Sequence, residues 1–428
     1  MNRHLGRCAR AACLLLSSLS VLFLNRSAPA EPTPLIERER ARLLGRLHVP
    51  QWHRSGVRGE GIKVAVLDTG FRGYAEHLGR ALPDRVVTAS FRRDGQFDAR
   101  DSQHGILCGE IVHAIAPKAE LFLITWDTAY PDRFLQALRY AREAGVRIVT
   151  CSIIMPSWSD GDGGGAIHQE LKKIVGSGHH PGDMLFFASA GNTAQRHWFG
   201  DFRPDDHNRH QWRIGRTRNP VSPWGSGRVS VELYWNDDSD YDLEVSDDEG
   251  KRVGQCFAYH GNDRSCRVLH FEPDDNHSYS LEVKLRRGKG GRFHTVVLGG
   301  GLGIATAQGS IAFPGDGEAV QAVGAIDESG RRATYSSCGS PFCRKPDFVA
   351  LVPFPSLWRD RPFGGTSAAA PQAAGLAALF WSKYPHLNAA QVLAALRSAA
   401  VDLGPQGHDY ETGYGAIVLP PLVSRKAN

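Results

Sequence analysis

The sequence predicts a doubly wound α/β fold with a mostly parallel sheet, interrupted by an inserted all-β sandwich domain. Short continuous apolar runs alternate with helical patterns in the first half of the chain, as expected for strands buried on both faces. Between residues 200 and 299 a strict apolar–polar alternation replaces the helical period, and the α/β pattern resumes at residue 300. With 428 residues, 42% of them hydrophobic, the chain is long enough for two or three domains.

Residues 1–30 have the pattern of an export signal. They contain four arginines and no acidic residue, then an apolar stretch at 11–24 and the small-residue ending Ala28-Pro29-Ala30. This stretch is shorter than the roughly 20 apolar residues that a membrane-spanning helix needs, which favours cleavage after Ala30 over a membrane anchor. We therefore expect a secreted or periplasmic protein.

The overall charge gives no support to two classes of partner. The formal net charge is +5, and subtracting the four arginines of the signal leaves +1. Such a balanced chain does not indicate a nucleic-acid partner or binding to an anionic membrane surface.

The α/β fold is predicted in two parts, at 61–199 and 300–428, after an N-terminal segment at 31–60 that contains a charged helix. Its strands are expected at 63–67, 121–124, 146–149, 184–188 and 319–325. Its helices are expected at 132–144 and 166–175. Because helices separate the strands, the strands should be parallel.

The insert at 200–299 is predicted to be a β-sandwich, because alternating runs at 229–235, 241–245 and 279–285 are separated by turn-forming clusters. Four acidic residues at one of these turns can bind structural calcium, or they can form a solvated strand edge, which we favour. These residues are Asp237, Asp238, Asp240 and Asp242.

Six cysteines remain after Cys8 and Cys13 leave with the signal. In an exported protein they allow disulfides, and the pairs close in sequence, Cys256 with Cys266 and Cys338 with Cys343, are the expected ones. The other two, Cys108 and Cys151, either pair or are buried thiols. None of the six forms a Cys-x-x-Cys motif, so the sequence does not favour a zinc site.

Two polar residues stand at the expected ends of core elements. Asp68 directly follows the strand at 63–67, and carboxyl ends of parallel strands carry functional groups, although such an Asp can also contact a ribose, bind a metal or cap a turn. His104 begins a helical pattern with small residues at Gly105, Cys108 and Gly109. Alone, this histidine can equally be a helix cap or a surface residue.

A more specific pattern surrounds Ser367, in Gly364-Gly365-Thr366-Ser367-Ala368-Ala369-Ala370-Pro371. The glycines place Ser367 at a helix N-terminus, where backbone donors and the helix dipole favour the oxyanion of an acyl transfer. The alternative is a serine that only caps a buried helix. Asn192, after the strand at 184–188, can donate to the same oxyanion or can belong to an ordinary turn.

Together these residues, in the order Asp, His, Asn, Ser, resemble the subtilisin-like serine proteases (subtilases, peptidase family S8) over about 61–199 and 300–421. The resemblance implies a serine endopeptidase with a catalytic triad of Asp68, His104 and Ser367, an acyl-enzyme intermediate and no catalytic metal. Asn192 and the backbone N–H of Ser367 would bind the oxyanion. Sedolisins share the Gly-Thr-Ser nucleophile but use a glutamate base, so His104 argues against them.

The sequence departs from the family in three places. The segment at 31–67 is too short for a folding-assisting prodomain, so we do not expect autoprocessing. The substrate-binding stretch Ser152-Ile153-Ile154 stands where the family has Ser-Leu-Gly, and Ile154 should narrow the specificity pocket. The insert, at 234–245, resembles jelly-roll or pre-peptidase modules and can gate or dock protein substrates. An alternative function is a catalytically silent fold that binds partners through this insert.

Overall fold

The architecture comes from a computed structural model that describes residues 34–98, 102–225, 227–258 and 265–422. The expected export signal at 1–30 lies outside these residues. In the described part of the chain no helix has the length and apolar character needed to cross a membrane.

Helices and strands alternate at both ends of the chain, and strands alone fill its middle. The helices are α1 (Pro34–Arg46), α2 (Val49–Arg54), α3 (His104–Ile115), α4 (Pro131–Glu143), α5 (Ala166–Val175), α6 (Ala369–Lys383) and α7 (Ala389–Ala399). The strands before the insert are β1 (Lys63–Leu67), β2 (Val86–Phe91), β3 (Glu120–Trp126), β4 (Ile148–Cys151) and β5 (Leu185–Ser189). The middle strands are β6 (His197–Asp201), β7 (Asn219–Pro223), β8 (Val229–Trp235), β9 (Asp240–Asp247), β10 (Gln255–Ala258), β11 (Ser265–Phe271), β12 (Tyr279–Arg287), β13 (Arg292–Leu298) and β14 (Gly300–Leu302). The last strands are β15 (Gln321–Ile326) and β16 (Phe348–Leu351).

A seven-stranded sheet in the order β16-β15-β5-β4-β1-β3-β2 forms the centre of the molecule. Every neighbouring pair in it is parallel. The predicted mixed α/β class with a large parallel sheet is therefore confirmed.

Both faces of this sheet are covered by helices, which explains why its strands read as continuous apolar runs. Since successive side chains of a strand point to opposite faces, Val64 and Val66 of β1 join the hydrophobic cluster with α3 and α6. The alternate residues Ala65 and Leu67 join a second cluster with α4 and α5.

The middle of the chain forms two antiparallel sheets, ordered β10-β11-β8-β13-β6 and β14-β7-β12-β9. Side chains from both sheets share one hydrophobic cluster, which includes Val231 of β8 and Leu281 of β12. The strands extend from 197 to 302, slightly beyond the predicted 200–299. That this insert is a separate sandwich domain stays a prediction, as do the other domain boundaries.

Neither predicted disulfide is present in the structure, and the strand register gives the reason for the first. Cys256 lies opposite Leu269 in the β10–β11 pair, three positions from Cys266 along β11. Three positions correspond to about 10 Å, and an odd number places the two side chains on opposite faces of the sheet. A disulfide needs Cα atoms within about 7 Å, so this prediction is wrong for the structure.

The second expected pair also remains apart. The Cys338 thiol donates to the Ala307 carbonyl at 3.1 Å, and the Cys343 thiol donates to the Asp316 carbonyl at 3.7 Å. Cys108 and Cys151 are buried thiols that do not pair with each other.

The acidic turn proposed for calcium contains two arginine-paired residues. Asp240 accepts a hydrogen bond from Arg267 at 2.6 Å, and Asp242 accepts one from Arg286 at the same distance. These ion pairs occupy two of the four carboxylates, and the favoured solvated edge, like the alternative of calcium binding, stays a prediction.

Candidate active site

Asp68 follows β1 directly at the carboxyl edge of the parallel sheet, and its side chain is completely buried. Its Oδ1 atom accepts the backbone N–H groups of Thr69 at 2.8 Å and Gly70 at 3.0 Å. Its Oδ2 atom lies 2.6 Å from Nδ1 of His104. These contacts fix the orientation of the carboxylate toward the imidazole.

His104 is the first residue of α3, and two glycines allow this helix to begin against the end of β1. The Gly105 N–H donates to the Gly70 carbonyl at 2.7 Å. A Cβ atom at Gly105 would lie 2.8 Å from the Cβ atom of Asp68, so a larger residue cannot fit without movement. The close approach of the two elements is what brings the imidazole to the carboxylate.

The pKa of His104 reflects two opposing effects. Burial disfavours the imidazolium and by itself lowers the pKa, but the charge and the hydrogen bond of Asp68 act in the opposite direction. The net result is a pKa above the ordinary value of 6.5. Because Nδ1 is bonded to Asp68, Nε2 is the ring atom left to act as a base.

Ser367 lies in a short 3-10 turn, Thr366–Ala368, immediately before α6. Its hydroxyl donates a long hydrogen bond to the Ser152 carbonyl at 3.5 Å, and the Ser152 hydroxyl donates to the Ser367 carbonyl at 3.1 Å. Within the described ranges no hydrogen bond joins Ser367 to His104. In enzymes without substrate such bonds are often long, and they shorten when substrate binds.

The Cys108 thiol, one turn into α3, lies between Asp68 and Ser367. Its Sγ atom is 3.9 Å from Asp68 Oδ2 and 3.7 Å from the Ser367 carbonyl oxygen. The two distances place Asp68 and Ser367 in the same site, although 299 positions separate them in the sequence.

Asp68, His104 and Cys108 are also the one group of three metal-ligand side chains found within 4.8 Å of one another in the described residues. Burial, and then the charge of Asp68, raise the pKa of the Cys108 thiol well above its ordinary value. Asp68 and His104 are joined by a direct hydrogen bond of 2.6 Å, which suits an acid–base pair.

Asn192 reaches the site after β5, and Thr366 determines which end of its carboxamide is available. The side-chain oxygen of Asn192 accepts both the N–H and the hydroxyl of Thr366 at 3.0 Å. This leaves the amide group of Asn192 as a donor beside Gly365, where an added Cβ atom would lie 2.9 Å from Nδ2. The amide therefore lies next to the turn that carries Ser367.

The three substrate-binding candidates follow β4. Ser152 contacts Ser367, as described above, and the Ile154 side chain lies close to Gly191, next to Asn192. Ile153 instead packs against the hydrophobic cluster below the sheet. Ser152 and Ile154 thus border the site, while Ile153 anchors the segment.

Two residues near the candidate catalytic groups were not predicted from the sequence. The Phe363 ring packs edge-on against the His104 ring, with centroids 5.3 Å apart. Arg196 donates from Nε to the backbone carbonyl of Asn192 at 2.9 Å, and its guanidinium lies 4.7 Å from the ring centre of Trp224 in the insert. No sequence motif indicates these two residues. Arg196 contacts Trp224 of the insert, and Phe363 lies in a loop far from His104 in the sequence.

Comparison with known proteins finds similarity to subtilases over part of the chain. The model of the subtilase family matches residues 272–415, a range that includes Ser367 but not the other three site residues. Subtilisin DY of Bacillus licheniformis is 37% identical over 115 residues, which are 26% of this chain and 40% of that protein. The halolysin-like extracellular serine protease Nep of Natrialba magadii is 32% identical over 115 residues, 26% of this chain and 20% of that protein. The matches thus span less than half of these relatives.

Two solved structures share the fold over most of the chain. The CspB protease of Clostridium perfringens superposes with a TM-score of 0.62 at 15% identity, over 88% of this chain and 97% of that one. A lanthipeptide protease superposes with a TM-score of 0.52 at 17% identity, over 91% and 97%. At these identities the comparison concerns the fold alone.

Proposed function

We propose that the chain is a subtilisin-like serine protease, an endopeptidase that hydrolyses peptide bonds in proteins. The observation that supports this most is the 2.6 Å contact between the Asp68 carboxylate and His104 Nδ1, in a site that also contains Ser367. A helix-start histidine that served only as a cap would not need a buried carboxylate behind its ring.

In the proposed mechanism, His104 Nε2 takes the proton of the Ser367 hydroxyl while Oγ attacks the scissile carbonyl carbon. The imidazolium that forms is stabilised by the Asp68 carboxylate. His104 then returns the proton to the leaving amine, and an acyl ester remains on Ser367. A water molecule, deprotonated by His104, attacks this ester and releases the second product.

Two donors would stabilise the negative oxygen of the tetrahedral intermediate. One is the amide of Asn192, whose orientation is fixed by the bonds from Thr366. The other is the backbone N–H of Ser367, which lies in a first helical turn where N–H groups have no acceptor of their own in the helix.

Ile154 is expected to restrict the substrates. It lies beside Gly191, at the position where the family has glycine, so its side chain takes up space that a substrate side chain would otherwise use. We propose that the enzyme prefers small side chains before the cleaved bond.

The insert and the expected signal extend the proposal. We propose export of the protein on the basis of the signal pattern and of relatives such as the extracellular protease Nep. Trp224 of the insert reaches Arg196 beside Asn192, which supports a role of the insert in docking or gating protein substrates.

Digestion of a complex peptide library, followed by mass spectrometry, tests the proposal. Wild-type protein should cleave peptides, Ser367→Ala should be inactive, and Asn192→Ala should lose about 10²- to 10³-fold in kcat, the range known for this donor in subtilisin. Ser329→Ala, at an exposed serine in the turn after β15, is the control that should keep its activity. If the folded wild type cleaves nothing, the alternative of a silent binding module is favoured.

A further inference from the structure

A cavity of about 220 Å³ lies where a loop of the α/β part meets the insert. The loop at 159–164 contributes from one side, and the ends of β8 and β13 contribute from the other. The residues that line the cavity are Asp160, Asp162, Asn236, Asp237, Arg292 and His294. None of them has a role in the proposed peptidase site.

Asp160 holds the loop in a tight turn. Its Oδ1 atom accepts the backbone N–H groups of Asp162 at 3.0 Å and Gly164 at 2.9 Å. Gly161 and Gly163 have φ angles of 83° and 78°, which glycine adopts readily and other residues rarely do. Asp160 is therefore engaged in building the loop.

The hydrogen bonds of two buried histidines determine the tautomer of His294. His197 Nδ1 lies 3.1 Å from the Thr306 carbonyl oxygen, which can only accept, so a neutral His197 carries its proton on Nδ1. Its Nε2 atom is then an acceptor, and it lies 3.1 Å from Nδ1 of His294, which must donate. A neutral His294 therefore presents an unprotonated lone pair at Nε2.

That lone pair has no hydrogen-bond partner in the described residues, although only 2% of His294 is exposed. The Tyr234 ring stacks on the imidazole, with centroids 5.1 Å apart and planes 7° from parallel.

The surroundings of the cavity are negatively charged. Three carboxylates and one guanidinium line it, which leaves a formal charge of −2. The guanidinium of Arg292 is also engaged elsewhere, since it lies 3.5 Å from the ring centre of Phe342 and 3.8 Å from the Asp201 carboxylate. A buried imidazole nitrogen without a partner is unfavourable, and a cation in this negatively charged cavity would satisfy it.

We propose that this cavity binds a divalent transition-metal ion, with His294 Nε2 as the nitrogen ligand and the Asp162 and Asp237 carboxylates as oxygen ligands. Imidazole together with carboxylate favours Zn²⁺ over Ca²⁺, which prefers oxygen alone. The three side chains line the same cavity, but their ligand atoms do not all lie within 4.8 Å of one another, so the proposal requires the two carboxylates to move toward the ion. The ion would join the insert, through Asp237 and His294, to the α/β part, through Asp162.

Zn²⁺ titration of chelator-treated full-length protein tests this site by calorimetry and by thermal unfolding. Wild type should bind one Zn²⁺ here, and its Tm should rise by about 3 to 5 °C at saturation. His294→Ala and Asp162→Asn should weaken this binding at least tenfold and remove the rise. Asp162→Asn keeps the shape of the side chain and removes its charge, so this variant still tests the site if His294→Ala does not fold.

Two matched histidine variants keep the test specific. His277→Ala removes a partly exposed histidine of the insert, and His104→Ala removes the other group of three metal ligands. Both should keep the Zn²⁺-dependent rise in Tm, which does not depend on peptidase activity. The proposal is overturned if wild type shows no such rise, or if Asp162→Asn retains wild-type affinity.

Discussion

At the scale of single residues, the pair of Asp68 and His104 controls the proton chemistry of the proposed enzyme. Asp68 raises the pKa of His104 above 6.5, and only the neutral imidazole can take the proton of Ser367. The acid limb of kcat/KM should therefore have its midpoint above pH 6.5 in the wild type.

The substitution Asp68→Asn tests this pair. It removes the negative charge and the hydrogen bond that hold the tautomer, so kcat should fall by about 10⁴-fold and the acid limb should move to lower pH. A pH profile of kcat/KM for both proteins measures the effect. An acid limb that stays in place would mean that Asp68 does not set the pKa of His104.

The types of the site residues could be predicted from the sequence, but their supporting contacts could not. Asp68, His104, Asn192 and Ser367 stand at ends of elements in recognisable local patterns, and the structure brings these ends to one edge of the sheet. Phe363 approaches His104 from a loop 259 positions away, and no local pattern encodes such a contact.

At the scale of elements, the start of α3 determines the position of His104. Gly105 packs tightly against Phe71, in the segment that follows β1. A Cβ atom added at Gly105 would lie only 2.4 Å from Phe71 Cε1, which leaves no room for a side chain. A helix that normally gains stability from alanine would here have to move away from β1.

We expect Gly105→Ala to destabilise the protein by about 1 to 3 kcal/mol through overpacking, and to lower kcat by displacing His104. The matched control is Gly45→Ala in α1, where no atom lies within 4 Å of the new methyl group. That variant should be stabilised by up to about 1 kcal/mol, because alanine favours the helix. Chemical denaturation measures both, and equal effects would contradict the packing account.

Predictions of strands succeeded where burial on both faces produces a continuous apolar run. They failed where the sequence is mixed or where the outcome depends on how two strands pair. Strand β1 coincides with the predicted 63–67, because burial on both faces requires a continuous apolar run. Strand β2 was missed, since this edge strand is largely half-exposed and carries a mixed sequence. The disulfide between Cys256 and Cys266 failed because the register of β10 against β11 cannot be read from sequence spacing.

At the scale of the whole molecule, a buried glutamate joins the insert to the α/β part. Glu232 of β8 is 8% exposed, and its carboxylate accepts the backbone N–H of Ser157 at 2.9 Å. Burial raises the pKa of Glu232, against the smaller opposing effect of the bonds from Ser157.

The pKa of Glu232 is higher in the folded state than in the unfolded state. The free energy of unfolding therefore decreases as the pH rises from the unfolded-state pKa to the folded-state pKa. Glu232→Gln keeps an acceptor for Ser157 and removes the charge, so Tm should increase at pH 7.5. Below about pH 3 the glutamate is protonated in both states, and the difference should vanish. Calorimetry at the two pH values measures this, and a variant that is less stable at pH 7.5 would contradict the prediction.

The order of strands in the sheet is a property of the whole chain that the sequence did not reveal. Central strands β1 and β4 are neighbours although β2 and β3 separate them in sequence, and β15 returns beside β5 after the entire insert. This return places α6, with Ser367 before it, against the same sheet edge as Asn192. Parallel pairing across such distances leaves no local signal.

The central claim is that Ser367 is a nucleophile activated by His104, and covalent labelling with a fluorophosphonate tests it most directly. Peptide mapping by mass spectrometry should locate one adduct on Ser367 in the wild type, while Ser367→Ala stays unlabelled and His104→Ala reacts far more slowly. A folded wild type that does not react, or an adduct on another residue, would contradict the account.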